Sequence, residues 1–284
     1  MFTSWPDWRT MTVKLLGVPY DAHSSFLRGP ALAPAAIRAA LHCGSANWCN
    51  ESGLDLDPSV TDAWIDLGDL ELSAEPGEAA DVLATVRGSA AAAIADGSGL
   101  LSFGGDHIVT WPLVQAISDR HEGLTIVHFD AHPDLYDRLD GDRFSHACPF
   151  ARIMEEGRAA RLLQFGIRTM NPHQRAQAER FGVEVHEFRD WDGVIPPLAG
   201  PVYVTVDLDA LDPAFAPGIS HHEPGGMSTR QLLDSLRQIG DSGAAVIGAD
   251  VVELNPTRDL NEMTAMVAAK VARELLGLLI TTQR

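Results

Sequence analysis

Short apolar runs rich in β-branched residues alternate with longer Ala- and Leu-rich segments along almost the whole sequence, from Val13 onward. The runs have the length of buried strands, and the segments between them are long enough to form helices. Strands are predicted at 13–19, 63–68, 99–103, 124–130, 162–167, 182–188, 202–208 and 245–252. Helices are predicted at 33–42, 77–95, 109–120, 146–156, 172–181, 228–239 and 260–279. This alternation favours a parallel sheet with helices over both of its faces.

The domain organisation follows from the same regularity. The chain of 284 residues contains no linker, low-complexity tract or repeat that would mark a boundary. We therefore predict a single domain over 1–284, with 1–12 as a loosely ordered tail, since the alternation starts only at Val13. Ser228 and Gly240 are the expected start and end of one helix, because serine caps helix N-termini and glycine commonly ends helices.

The charge and cysteine content exclude several classes of protein. Lys and Arg number 21 against 39 Asp and Glu, a net charge of −18. That balance disfavours a nucleic-acid backbone or an anionic membrane surface as partner and favours a small cation. No apolar run reaches the roughly 18 residues of a membrane span, and no secretory signal is evident. The three cysteines lack CxxC spacing, so we expect reduced thiols in a cytoplasmic protein.

Chemically active side chains follow four of the predicted strands, at the point where each strand ends. The four stretches are GGDH at 104–107, DAHPD at 130–134, DLDALDP at 207–213 and DVVELNP at 250–256. Each stretch alone is compatible with a tight turn, a core histidine or a capping turn. In an open parallel sheet, however, sites form where the carboxyl ends of the strands meet at one edge. The sequence therefore predicts one constellation at that edge.

This constellation has the composition of a metal site. It would gather six side chains, namely His107, Asp130, His132, Asp134, Asp207 and Asp209. Without a cation, so many carboxylates in one place would repel one another and carry a large desolvation cost. Two divalent ions resolve that conflict, since imidazole and carboxylate ligands suit Mn²⁺ and similar ions. Two-metal sites commonly activate water as a nucleophile.

The four motifs, in this order, resemble those of the ureohydrolase family, which includes arginase, agmatinase and guanidino-acid hydrolases. The segment SFLRGPALAPAAIR at 25–38 is similar to the N-terminal region of the same family. The resemblance covers almost the whole chain, from Leu15 to the C-terminus. It implies a three-layer α/β/α domain around an eight-stranded parallel sheet, two Mn²⁺ ions per chain and a homo-oligomer, either a trimer or a hexamer.

The resemblance also implies which residue binds which ion. His107 and Asp134 would belong to one ion, and His132 and Asp209 to the other. Asp130 and Asp207 would bridge the pair. We expect His128, Asp106 and Asp250 to support these ligands from behind.

Three residues would take part in the reaction itself. By motif position, Glu253 would face the guanidinium group of the substrate, which suits a carboxylate because that planar cation has paired N–H donors. His146 matches the family histidine that shuttles protons near the mouth of the site. Asp134 would pass a proton to the departing amine. The products would be urea and that amine.

The substrate is less constrained by the sequence. The stretches after DAHPD and in GIRTMNPHQ lack the polar and acidic pattern with which arginase-like enzymes hold the head group of arginine. Agmatine, a small guanidino cation, is therefore the leading prediction, giving putrescine and urea. Tyr136 would either flank its aliphatic amine or pack as part of the wall. Asp137, Asp140 and Asp142 would either receive its distal ammonium group or form a solvated loop.

Several alternatives stay open at this point. Arg28 and Arg143 could receive the carboxylate of a guanidino acid such as guanidinobutyrate or guanidinopropionate. The PGISHHEPGG stretch departs from the family pattern and brings His221 near the guanidinium side. His221 would bind substrate there, reshape the pocket for free guanidine, or shift the metal preference towards Ni²⁺. The alternative of another class is a metal-binding pseudoenzyme or regulatory subunit.

Overall fold

The computed structural model of the protein describes residues 12–72 and 79–282. Almost all of the predicted tail at 1–12, and the first two residues of the helix predicted at 77–95, lie outside these ranges. The strands are β1 Val13–Gly17, β2 Trp64–Asp69, β3 Gly99–Phe103, β4 Thr125–Phe129, β5 Arg161–Phe165, β6 Glu184–His186, β7 Pro201–Asp207 and β8 Ala245–Val252. The helices are α1 Ala33–Leu41, α2 Ala79–Ala93, α3 Thr110–Ser118, α4 Pro149–Glu155, α5 Pro172–Phe181, α6 Thr229–Asp241 and α7 Met263–Thr282.

Within the described ranges, these eight strands form one sheet in the order β2-β1-β3-β8-β7-β4-β5-β6. Every neighbouring pair is parallel. The predicted eight-stranded parallel sheet is therefore confirmed. The central strands read as continuous apolar runs because both of their faces are buried.

Helices cover both faces of the sheet and make it the middle of three layers. One face packs against α1, α6 and α7, as the cluster containing Ile37, Leu236 and Leu275 shows. The other packs against α2, α3 and α4, which contribute Val86, Leu113 and other apolar side chains. Successive strand residues alternate between the two clusters, as expected for extended backbone.

Local signals set the helix ends, with one exception. The side chain of Ser228 accepts a hydrogen bond from the backbone N–H of Gln231 in a capping box, so the predicted start of α6 is confirmed. The predicted end at Gly240 is wrong, because α6 continues through Asp241. A Cβ atom on Gly240 would lie 2.7 Å from Cδ2 of Leu278. The glycine therefore allows α7 to approach α6 closely.

The strand order explains why four motifs that are far apart in sequence meet in space. Strands β3, β8, β7 and β4 are consecutive in the sheet, and each is followed by one of the four motifs. Their carboxyl ends share one edge because all of them are parallel. Among the described residues, no helix is long and apolar enough to cross a lipid bilayer.

Gly105, at the end of β3, gives a direct test of this packing. A Cβ atom at Gly105 would lie 1.9 Å from the backbone carbonyl oxygen of Tyr20. We therefore expect Gly105→Ala to lower the free energy of unfolding by about 1–3 kcal/mol, the typical cost of overpacking. Gly88→Ala is the matched control, since Gly88 lies within α2 with open space around it. Gly88→Ala should raise the free energy of unfolding by about 0.5–1 kcal/mol. Equal unfolding midpoints in urea for both variants would contradict the packing described.

Candidate metal and substrate site

The six predicted ligand side chains lie together at the carboxyl edge of the central strands, and we call this set the metal edge. His107 follows β3, and three come from the loop after β4. Asp207 ends β7, and Asp209 lies in the 3-10 turn that follows it. All are buried except His132, whose side chain is 29% exposed. Buried carboxylates in such number are unusual unless they are paired or bind a metal ion.

Three of the six converge on the ring of a fourth, His107. Its Nδ1 atom lies 3.2 Å from Oδ2 of Asp130, 3.1 Å from Oδ2 of Asp134 and 3.3 Å from Oδ2 of Asp207. The Oδ1 atom of Asp207 accepts a hydrogen bond from the backbone N–H of Asp209 at 2.7 Å. One nitrogen and three carboxylate oxygens therefore surround a common point.

A second group forms around His132. Its Nδ1 atom lies 3.0 Å from Oδ2 of Asp209 and 3.4 Å from Oδ1 of Asp130. Asp130 thus turns one oxygen towards each histidine, the position expected of a bridging carboxylate. Asp209 is fixed further by the backbone N–H of Ala131, which donates to its Oδ1 atom at 3.0 Å. The two groups agree with the division that the resemblance implies, except that Asp207 is seen in the first group alone. The roles of all six as ligands, and the bridging role of Asp207, stay predictions.

The donor set fits divalent cations. Two ligand atoms at about 2.1 Å from one ion, seen at a right angle, lie about 3 Å apart, which is close to the spacings around both histidines. Among the described residues, Nδ1 of His107 is buried and forms no hydrogen bond, although three carboxylate oxygens surround it. A shared cation would satisfy those oxygens and the unpartnered nitrogen together. Imidazole with carboxylate is a combination that suits Mn²⁺ and similar ions.

The electrostatics point the same way. Burial, together with the neighbouring carboxylates of Asp209 and Asp130, raises the pKa of Asp207 well above its usual range. Burial alone would lower the pKa of His132, but the Asp209 and Asp130 carboxylates raise it well above the ordinary value. The carboxylates therefore favour positive charge at this edge, which bound cations would provide.

Buried polar side chains hold the ligands from behind. Nε2 of His128 lies 2.8 Å from Oδ2 of Asp130, as the expected supporting role requires. Nε2 of His107 lies 3.0 Å from the hydroxyl of Thr205, which donates to Asp250 at 2.6 Å. Asp250 also accepts from Tyr203. The sequence indicated His128 and Asp250 but not Thr205, which reads as an ordinary strand residue.

Glu253 and His146 form the wall beside the ligands. Oε1 of Glu253 accepts from the backbone N–H of His107 at 3.0 Å and lies 3.0 Å from Nδ1 of His146. Burial disfavours a charged imidazole, but the Glu253 carboxylate raises the pKa of His146 to about 9. Asp134 and Glu253 have φ angles of 48° and 64°. Such values are uncommon for residues other than glycine and often occur at functional sites.

A short loop after β1 completes the wall. The Ser25 hydroxyl lies 2.8 Å from Nε2 of His146 and 3.3 Å from Nε2 of His221. The rings of His146 and His221 have centroids 4.8 Å apart. Burial lowers the pKa of His221 to about 4, so this ring is neutral near pH 7. The site role of Ser25 was missed, because a serine before an apolar residue carries no distinctive sequence signal.

These residues enclose a cavity of about 180 Å³. Its wall includes Tyr136, His146, His221 and Glu253, together with residues of the metal edge, so the predicted substrate-binding residues lie around one space. The hydroxyl of Tyr136 accepts from Nδ2 of Asn171 at 2.6 Å, and its ring stacks on that of His173. Tyr136 is therefore a fixed part of the mouth of the cavity.

Four of the five charged residues considered for the distal end of a substrate form ion pairs with other side chains. Arg28 binds Asp21, and Arg143 binds Asp137 and Glu155. Asp142 pairs with His23. The cavity wall that the structure describes contains no arginine or lysine.

Arg168 is a second residue that the sequence did not indicate. Its guanidinium group donates to the backbone carbonyls of Asp209 at 2.7 Å, Ala210 at 3.2 Å and Glu223. Arg168 thereby joins the turn that carries Asp209 to the loop that carries His221. Its fork of donors is the feature that permits several carbonyl contacts at once.

Comparisons with known proteins agree with this geometry. A sequence model of the Arginase family matches residues 11–277. The chain is 47% identical over 279 residues to Arginase 1, mitochondrial, of Arabidopsis thaliana, covering 93% of this chain and 80% of that protein. It is 33% identical to an agmatinase of Bacillus anthracis, covering 96% and 93%. The solved structure of an arginase from Medicago truncatula superposes with a TM-score of 0.85 at 41% identity, covering 95% and 87%.

Replacing Arg168 by lysine tests whether its carbonyl contacts position the second ligand group. A single ammonium group cannot reproduce the fork, so the turn that carries Asp209 should loosen. We expect Arg168→Lys to weaken the binding of one of two divalent ions about 10- to 100-fold, the usual effect of losing a group that orients a ligand. The measurement is calorimetric titration with Mn²⁺.

The control is Arg175→Lys, which changes an exposed arginine of α5 paired with Glu187. It should leave both affinities unchanged. Unaltered Mn²⁺ affinity in Arg168→Lys, with the fold intact by circular dichroism, would show that Arg168 does not position the site.

Proposed function

The chain belongs to the arginase family, hydrolases that act on guanidino C–N bonds, and from this premise we propose that its substrate is L-arginine. The proposal is carried by the 47% identity to an Arabidopsis arginase over 93% of the chain. The products would be urea and the amine that remains, L-ornithine. Family membership makes the chain an enzyme, so the alternative of a pseudoenzyme or regulatory subunit is not favoured.

The mouth of the cavity is compatible with an amino-acid head group. Its wall includes the neutral polar side chains of Ser25, Thr169, Asn171 and Gln174. An α-ammonium with an α-carboxylate has no net charge, and neutral amides and hydroxyls can hydrogen-bond to both of its groups. These residues would hold the head group without a fixed counter-charge.

Agmatine is the second candidate and is the leading prediction from the sequence alone. The absence of arginine and lysine from the described cavity wall favours agmatine, because agmatine has no carboxylate that would need a cationic side chain as partner. The same observation disfavours guanidino acids, whose carboxylate Arg28 or Arg143 would have to receive. The net charge of −18 suits a doubly charged cation.

Glu253 would hold the guanidinium group. Its Oε1 atom is occupied by the N–H of His107 and by the ring of His146. Its Oε2 atom is buried and has no hydrogen-bond partner among the described residues. A guanidinium N–H would satisfy that oxygen with a charge-assisted hydrogen bond. The reacting carbon would then lie beside the metal edge.

In the proposed reaction, Asp134 and His146 would move protons. The Asp134 carboxyl lies in the cavity wall and would pass a proton to the departing amine, the role that the resemblance implies. His146 lies 8% exposed at the wall and would exchange protons with the mouth. When bound by His107, His132 and the four aspartates, divalent ions supply Lewis acidity and lower the pKa of water. Two Mn²⁺ per chain, with Ni²⁺ as alternative, are part of this proposal.

The assembly and the cellular location of the enzyme are also predictions. The trimer or hexamer that the resemblance implies and the cytoplasmic location stay as such.

A substrate panel tests the proposal. Urea release is measured with arginine, agmatine, 3-guanidinopropionate, 4-guanidinobutyrate and guanidine, after loading with Mn²⁺ and separately with Ni²⁺. We expect arginine to give the highest kcat/KM. Highest turnover of agmatine would restore the prediction from the sequence, and preference for a guanidino acid would contradict both.

Glu253→Gln tests the proposed binding of the guanidinium group by Glu253, independently of which substrate is preferred. It keeps the side-chain shape but removes the charge. We expect kcat/KM to fall roughly 10- to 100-fold, since a hydrogen bond to a charged group contributes about 1.5–3 kcal/mol, with metal content unchanged. Full activity of this variant would remove Glu253 from the proposed role.

A further inference from the structure

Three side chains beside the metal edge form a separate cluster of potential metal ligands. One potential ligand atom from each of His146, His221 and Glu253 lies within 4.8 Å of the other two. None of these residues belongs to the six predicted ligands. The cluster borders the cavity on the side of the Ser25 loop.

One of its oxygen atoms lacks a partner. Glu253 is 3% exposed, and its Oε2 atom forms no hydrogen bond among the described residues. Oε1 lies 3.0 Å from Nδ1 of His146, the separation expected for two neighbouring ligands of one ion. A buried, unsatisfied carboxylate oxygen beside two imidazoles is a suitable place for a cation.

His221 can complete the set. Its ring is half-buried and is held by a contact of 3.3 Å with Ser25 and by ring contacts with Phe26, His132 and His146. The ligand atoms of the three residues lie within 4.8 Å of one another, somewhat farther apart than the ligands of one bound ion. A small rotation of the His221 side chain would shorten its distances to the other two. The cavity supplies the open fourth position.

The chemistry of the donors distinguishes this cluster from the metal edge. Each group at the edge combines one imidazole with several carboxylates, whereas this cluster has two imidazoles and one carboxylate. Two histidines, one glutamate and an open position are a set that binds Zn²⁺ tetrahedrally. Nitrogen ligands favour Zn²⁺, Ni²⁺ or Cu²⁺ over Mn²⁺.

We propose that His146, His221 and Glu253 form a third cation subsite, which takes Zn²⁺ or a similar nitrogen-preferring divalent ion and thereby excludes the guanidinium substrate. The exclusion rests on the proposed function, which puts the guanidinium group at Glu253. The metal subsite itself does not rest on it. Excess Zn²⁺ would act as an inhibitor that competes with the substrate while both ions of the metal edge stay bound.

The experiment measures metal content and release together. Protein loaded with Mn²⁺ is titrated with Zn²⁺, bound zinc is counted by mass spectrometry, and free Mn²⁺ is followed by electron paramagnetic resonance. We expect one Zn²⁺ per chain to bind without release of Mn²⁺. His221→Asn and His221→Gln should both lose this ion and keep their Mn²⁺.

The matched control is His222→Asn. His222 is the exposed neighbour of His221, and its Nε2 atom contacts the carbonyl oxygen of Pro217 and lies outside the cluster. This variant should keep the third ion. Zinc uptake matched by Mn²⁺ release, or equal zinc content in the His221 and His222 variants, would overturn the subsite.

Steady-state kinetics separate the two parts of the proposal. In the wild type, Zn²⁺ should raise KM for the guanidino substrate and leave kcat unchanged. If the third ion binds but KM does not move, the subsite stands, and the exclusion and the proposed seat of the guanidinium group at Glu253 both fall.

Discussion

Mutual repulsion between buried carboxylates is the constraint on which the site depends. Asp130, Asp134 and Asp207 each bring an oxygen within 3.3 Å of one buried nitrogen of His107. Such an arrangement requires either a cation or a proton among the oxygens to offset their repulsion. The parallel sheet enforces the convergence, because β3, β8, β7 and β4 end at the same edge. The strand order of the sheet therefore creates the cluster of carboxylates that a bound cation would stabilise.

Much of this was accessible from the sequence, for physical reasons. Buried strands and amphipathic helices have distinct periods, so the predicted elements agree with the observed ones to within a few residues. The six ligands stand out because carboxylates directly after apolar strands are costly to bury. The adjacency of β3 to β8 was not readable, since strand order depends on packing of the whole sheet. Gly240, Ser25 and Arg168 were misjudged or missed because their roles depend on neighbours distant in sequence.

The site has two parts: the residues around the reacting guanidinium end and the residues at the mouth of the cavity. Under the proposed function, the metal edge and Glu253 would contact only the guanidinium end, so they would suit any guanidino substrate. The mouth around Tyr136, Asn171 and His221 decides which chain and head group can extend from that end. The described cavity wall contains no arginine or lysine, which accords with a zwitterionic head group or an uncharged chain better than with a lone carboxylate. Specificity therefore rests on few residues carried by loops, as is common on rigid scaffolds.

The most direct test of the account is a crystal structure of the Mn²⁺-loaded protein with anomalous scattering measured at the manganese edge. The account predicts two strong peaks per chain, one among His107, Asp130, Asp134 and Asp207 and one among Asp130, Asp207, His132 and Asp209. The peaks should lie roughly 3.5–4 Å apart, as in other two-metal hydrolases. A single peak, peaks elsewhere in the chain, or none at saturating Mn²⁺ would contradict it.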